Sequence, residues 1–401
     1  MIDKYYNGVI EQVVSGIGNV EHNSILVRYS NDFSIWDLES VNHYKDQSDI
    51  FFTCHEFSYN KIAEAYEPYL GLIRQMFHRY CSGTLEEFME ECDVYKLQRP
   101  VFESYFENGF CERTEQILID EVEYEQERMR NSIVTMLQKL SEIRPVVIVL
   151  NRFQLASKST MQLTNRLLQT KNKNIGIVLG VNDVQSIPEF AHEEWDAICE
   201  SMDDRNMVYH IGNAGRNMEP DVMDYYSDYE SDDGYRKLNN LVYFLDFDQA
   251  DHHLSKIERR IKFDNFTISE KKHYQLLLLR IMVSVLQRDI AKALESCEDL
   301  EKLQDQEKEG AFYYNFWMAT SYMYLGKLEE AMIYVQKAKE CGEALGDDFL
   351  VFRAELLKAQ NQMSGWCNIF FCAQDIEISD KLIEKLNAYH YKNHLAHIYI
   401  Y

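Results

Sequence analysis

Three histidines near the end of the sequence, His390, His394 and His397, fall at i, i+4 and i+7 and so share one helical face. An i, i+4 histidine pair is a zinc-ligand spacing. No Cys or acid stands at a matching interval, so hydrogen bonds between helices are the expected use. His252 and His253 are neighbours that a helix would point apart. Cys367 and Cys372 flank Phe370-Phe371, an apolar setting that suits core thiols. No G-x-S-x-G elbow presents a nucleophile. Asp228, Glu230, Asp232 and Asp233 precede Gly234 somewhat as in a calcium loop. The glycine comes one place late, however, and Asn239 stands where the closing bidentate acid belongs. The position that decides most is Asn151-Arg152, at the end of Pro145-Val-Val-Ile-Val-Leu-Asn151. A nucleotide hydrolase would carry acids there to organise magnesium.

That apolar run is too short for a helix and has no polar face. It predicts a central strand of a parallel sheet covered on both sides. Upstream, Glu112–Ile143 places Ile133, Met136, Leu137, Leu140 and Ile143 at helical spacing, and Pro145 closes that helix. Downstream, Ser159–Lys171 reads as a helix and Asn174–Gly180 as another strand. Further strands are expected at Ser24–Tyr29, Asp49–His55 and Asn206–Ile211. Helices are expected at Met1–Gly18, Trp36–Tyr44 and Lys61–Tyr80 (interrupted by Pro68), with a helical insertion over 82–111. Strands alternating with helices predict an α/β domain over residues 1–216.

This order of elements, with AYEPYLGLIRQM at 65–76, RPVVIVLNRFQLA at 144–156 and NIGIVLG at 174–180, resembles the nucleotide-binding domain of STAND signalling ATPases. These are MalT-like relatives of AAA ATPases, and the likeness is best over 58–76 and 139–183. It implies a P-loop-like parallel sheet. In that family the first strand feeds G-x-x-x-x-G-K-[ST], whose backbone N–H groups and lysine hold phosphate. Set on that pattern, Tyr29 and Ser34 fall at the two glycines, Ile35 at the lysine and Trp36 at the magnesium-binding hydroxyl. Asn151 and Arg152 fall at the magnesium-organising acids. Asn182-Asp183 falls at the sensor position and is expected to be an ordinary turn. The resemblance therefore implies a degenerate site: a pseudo-ATPase with a filled-in cleft, no cofactor and no metal.

Residues 217–237 read as an acidic linker. From 238 to 401 the sequence repeats itself. Tyr313–Ala338 closely resembles a tetratricopeptide (TPR) repeat, with Ala319 at the helix crossing, Tyr322 in the groove, Gly326 at the turn, and Ala331 and Ala338 admitting the second helix. Tyr274–Leu300 looks like an earlier copy and Asp246–Ile257 a still earlier second helix. Asp348–Gln362 and Asp380–Tyr389 continue the pattern past an interruption at Ser364–Phe371. An all-α TPR-like array is expected to bind a protein or peptide on its concave face, near Tyr314, Trp317, Tyr322 and Trp366. The uncapped ending at Tyr401 reads as a cut within a longer polypeptide. The domain order resembles the N-terminal portion of bacterial (clostridial) GGDEF diguanylate cyclase proteins, which implies an effector domain beyond these residues.

The charge of −25 over 401 residues argues against nucleic acid and anionic membranes as partners. Nine cysteines without a C-x-x-C pair fit reduced thiols in the cytoplasm. No apolar run approaches the roughly 18 residues of a membrane span. A regulatory module is the reading. An NTPase with a rebuilt site, a sensor of a non-nucleotide ligand and a homo-oligomerisation scaffold are the rivals.

Overall fold

Five strands form: β1 (Ser24–Tyr29), β2 (Phe51–Glu56), β3 (Val146–Asn151), β4 (Ile175–Asn182) and β5 (Val208–Ile211). They make one all-parallel sheet in the order β2-β3-β4-β1-β5. The computed structural model describes residues 2–368 and 384–385, except 20–22, 30–33, 46–48, 59–60, 97, 112–121, 171, 183–186, 188, 204–207, 212–230 and 264–266. The chain divides into two units, Met1–Gln249 and Ala250–Tyr401. Among the described residues no helix is long and apolar enough to cross a membrane.

Every residue of β3 and β4 is buried, as unbroken Val, Ile and Leu runs require when both faces are covered. One face carries Ile25, Val27, Val147, Val149 and Val178. Helix α1 (Ile2–Gly16) lays Tyr6, Val9, Ile10 and Val13 on it, and Val41 of α2 (Glu39–Lys45) joins the same core. The remaining helices of this unit are α3 (Tyr69–Tyr80), α4 (Leu85–Glu91), α5 (Arg99–Asn108), α6 (Val122–Ile143), α7 (Lys158–Thr170), α8 (His192–Asp203) and α9 (Asp232–Tyr243). Ile133, Met136, Leu137 and Leu140 of α6 are buried, as their spacing predicts.

Three expectations need correction. The helix expected from Lys61 begins only at Tyr69. Residues 61–68 form turns instead, with a cis Glu67–Pro68 bond and Tyr66 at φ 56°. Proline supplies no helical N–H and disfavours α geometry before it. The acidic linker does not extend to 237, because Ser231 caps α9 by accepting the Gly234 N–H. Asp232 and Asp233 then sit in the first turn, where the helix dipole favours acids. Asp228 and Glu230 lie outside the described residues. The first unit runs to Gln249 and so takes in α9, beyond the bounds of 1–216 expected for the α/β domain.

The second unit is helical: α10 (Phe247–Phe263, mostly within it), α11 (Glu270–Leu286), α12 (Ile290–Glu301), α13 (Gly310–Tyr324), α14 (Leu328–Leu345) and α15 (Asp348–Asn368). Ala293, Ala319, Ala331 and Ala338 are fully buried, so small side chains do stand at close helix approaches. Gly326 takes φ +73° at the turn between α13 and α14, a conformation L side chains resist. Helix α15 runs through to Asn368, across the first part of the expected interruption. Of Asp380–Tyr389 only 384–385 are described, and His390, His394, His397 and Cys372 lie outside the described residues.

Candidate functional site

From β1 the chain crosses to the β2 edge, whereas from β4 it crosses to β5 on the other side. The direction of travel reverses between β1 and β4, and open α/β sheets take ligands at the carboxyl ends beside such a reversal. Tyr29, Asn182, Asn151 and Glu56 end β1, β4, β3 and β2 there.

The structure brings the residues of the expected cleft together. Tyr29 is buried, and its hydroxyl donates to Asn151 Oδ1 at 2.7 Å. Tyr6 reaches the same point from α1. Gly180 of β4 leaves the room: a Cβ there would strike the Tyr6 hydroxyl and stand 2.6 Å from Asn151 Oδ1. Burial, with Tyr29 close by, pushes the Tyr6 phenol well above its ordinary pKa. Two phenols and an amide thus fill the space at the ends of β1, β3 and β4. Asn182 N–H donates to Gln154 Oε1 at 3.2 Å, and Asp183 lies outside the described residues.

Ile35 is buried in the core of the α1 face. It opens a single 3-10 turn, Ile35–Asp37, capped by Ser34, whose Oγ accepts the Trp36 N–H at 3.3 Å. Trp36 itself is 48% exposed, with the Lys45 ammonium 6.0 Å from its ring. Its indole therefore lies out in solvent instead of filling the cleft. Arg152 follows β3 in the left-handed region, φ 52° and ψ 42°, a strained conformation for a residue with a Cβ.

Sequence reasoning missed Glu56, because the second strand was read as ending at His55. Glu56 Oε2 accepts from Ser34 Oγ and from Ile35 N–H, each at 3.3 Å, and its Oε1 lies 3.5 Å from an Arg152 guanidinium nitrogen. A second polar group beside it was also missed. His55 Nε2 lies 3.4 Å from Glu67 Oε1, and Glu67 Oε2 accepts the Glu64 N–H at 3.1 Å. Glu64 Oε2 accepts from Asn240 Nδ2 of α9 at 2.8 Å. Burial, then Glu67, raises Glu64 to about 7, while burial lowers His55 to about 4. In sequence Glu56 is only an acid at the end of a strand that opens with Phe51-Phe52, which says nothing of its partners.

In the helical unit the four expected partner-binding aromatics separate. Trp317 is buried in the core, edge-on to Phe316 at 5.4 Å, so it offers no surface. Helix α13 is apolar nearly all round, and the indole finds its place inside. Tyr314 and Tyr322 are only partly buried and share Tyr334: Tyr322 stacks on it at 5.5 Å and Tyr314 meets it edge-on at 6.3 Å. The side chains of Trp366 and Cys367 lie outside the described residues. His253 is buried against His252, and burial holds both imidazoles neutral-favouring, His252 at about 4.

No protein-family model, no curated protein and no solved structure matches the chain.

Proposed function

We propose that this chain is a non-catalytic regulatory module, in which a P-loop-like α/β scaffold without a working nucleotide site is joined to a TPR-like array that binds a protein or peptide. The observation that carries this reading is the hydrogen bond from Tyr29 to Asn151. It joins the end of β1 to the end of β3, the two places where phosphate and magnesium would be gripped in a sheet of this order. Phosphoryl transfer depends on positioning and on neutralising charge. Here an aromatic ring, a buried aliphatic side chain and an amide stand at those points. Fold alone carries no activity without such a site.

The partly exposed trio Tyr314, Tyr322 and Tyr334 is the surface favoured for a partner, since tyrosine gives large contact area at small entropic cost. Its output would pass to an effector, of which a GGDEF cyclase domain in the same polypeptide is the proposed kind, acting in the cytoplasm. Titration calorimetry with ATP and Mg²⁺, beside a phosphate-release assay, tests the reading. Neither heat of binding at micromolar nucleotide nor turnover is expected. Either one, if lost on Asn151→Ala, overturns it.

A further inference from the structure

The ends of three strands meet on one carboxylate. Glu56 belongs to β2, yet its side chain is only 11% exposed and meets groups from beyond β1 and β3. Oε2 takes a hydroxyl hydrogen from Ser34 and an amide hydrogen from Ile35. Oε1 faces Arg152, which leaves β3 in a left-handed turn. In the sheet order β2 and β1 are separated by β3 and β4, so no ladder hydrogen bond joins them. The carboxylate supplies that link. A hydroxyl, a backbone N–H and a guanidinium converging on one point make a cradle for an anion. The anion in it comes from the chain itself.

We infer that Glu56 is a built-in ligand: its carboxylate occupies an anion cradle formed by Ser34, Ile35 and Arg152, and holds the carboxyl edge closed with no small molecule bound. The inference rests on the nucleotide-free reading above and extends it, because it names the group that does the holding. Without that carboxylate, the Arg152 guanidinium and the Ile35 N–H lose their common partner, and the segment after β1 loses this tie to β2, while β3 stays paired to β2 through the ladder. The domain would then depend on an external anion.

The test uses the full chain and a carboxylate small enough to enter the vacated space. Glu56→Ala deletes a fragment the size of acetate. The thermal midpoint is measured in sodium acetate and in sodium chloride of equal ionic strength. The wild type is expected to show the same midpoint in both. E56A is expected to melt roughly 5 °C lower, as loss of charge-assisted bonds implies, and to recover saturably with acetate. The double variant E56A/R152M is expected not to recover. An E56A midpoint equal to wild type, an equal acetate effect on both proteins, or no acetate effect on E56A each overturns the inference. Should E56A not fold, Glu56→Gln is read instead. It keeps an oxygen for Ser34 and Ile35 but gives Arg152 no charge, so a midpoint equal to wild type overturns the inference and a lower one supports it. Wild-type titration with ATP addresses the underlying reading separately, since its outcome does not depend on acetate rescue.

Discussion

Glu64 offers a sharp test of the electrostatics at the carboxyl edge. Its carboxyl is pushed from 4.5 to about 7, first by burial and then by Glu67, against the opposing pull of Asn240 and Lys237. A shift of this size is worth about 3 kcal/mol at roughly 1.4 kcal/mol per unit. Glu64 keeps some exposure, so screening brings the figure nearer to about 2 kcal/mol. The sign follows from linkage: a carboxyl whose folded pKa is raised favours the fold while protonated. That stability is fully present below pH 4.5 and is lost as pH rises through 7. Glu64→Gln keeps an oxygen for Asn240 Nδ2 and cannot ionise. The assay is amide exchange at Val147–Val149, core residues of β3 that are fully buried and exchange through large openings. Comparing variant with wild type at each pH removes the intrinsic pH dependence. At pH 8 the variant should exchange about 30-fold more slowly, as about 2 kcal/mol implies; at pH 4.5 the two should agree within a factor of about two. His55 titrates in the opposite sense, its neutral form favoured by burial, but it is common to both proteins and cancels. A ratio that does not change between pH 4.5 and 8, or a variant less stable at both, would refute the reasoning.

Three further outcomes follow from individual contacts. Arg280, 1% exposed, is held between Asp251, Glu258 and Ser255. Because Asp251 and Glu258 are themselves more than a third exposed, Arg280→Ala should destabilise the helical unit by about 1.5–3 kcal/mol in urea melts, the range for charge-assisted hydrogen bonds. Gly180→Ala must place a methyl among the Tyr6 hydroxyl and Asn151 Oδ1, and should lower stability by about 1–3 kcal/mol; the double change with Tyr6→Phe should recover part of it. Tyr29→Phe removes the donor to a buried amide oxygen and should cost about 1–3 kcal/mol in the same melts, with ATP titration still silent.

The sheet was legible because its strands obey local rules. Val146–Leu150 is apolar at every position, and only a strand covered on both faces tolerates that in so short a run. The helical pairs were legible because Ala293, Ala319, Ala331 and Ala338 mark close approaches and Gly326 marks a turn. The turns at 61–68 were not, since Ile62, Ala63, Tyr66, Tyr69 and Leu70 keep a nearly helical spacing and all are buried. The break there comes from Pro68, which supplies no helical N–H and disfavours α geometry before it, and from Tyr66 in the left-handed region. Tyr29, Ile35 and Asn151 could be nominated from the β1 and β3 strand ends, while Glu56 could not. Its partners lie about 21 and 22 residues before it and 96 residues after it in sequence, and nothing local announces a pairing across two intervening strands. Trp317 misled for a related reason: an aromatic on an apolar helix looks the same whether it faces a groove or the core.

The segment that closes the α/β unit is tied to this edge along its whole length, which bears on how a state of the edge could be passed along the chain. Asn240 Oδ1 accepts the Cys111 N–H at 2.8 Å while its amide serves Glu64. Phe244 packs edge-on against Tyr66, Phe102 and Tyr105 at 6.2, 5.8 and 5.6 Å. Gln126 Nε2 donates to Leu245 O at 2.7 Å. Asp246, buried, accepts the Ser159 N–H at 2.9 Å and so caps the start of α7. Lys158 meets Asp248 at 2.7 Å. The start of α7 is joined to Asn151-Arg152 by five residues, Phe153 to Ser157, and Ser157 Oγ donates to Glu64 O at 2.9 Å. Covalent and hydrogen-bonded routes therefore run from the strand ends to the residues just before Ala250, through groups with discrete partners to keep or lose. A double-mutant cycle on Glu64→Ala and Asn240→Ala measures the coupling between Glu64 and α9. A coupling energy of about 0.5–3 kcal/mol is the range for residues in one hydrogen-bonded network, and a value indistinguishable from zero would mean that the Glu64 contact does not help to hold α9, leaving its other ties, such as Asn240 to Cys111, to do so.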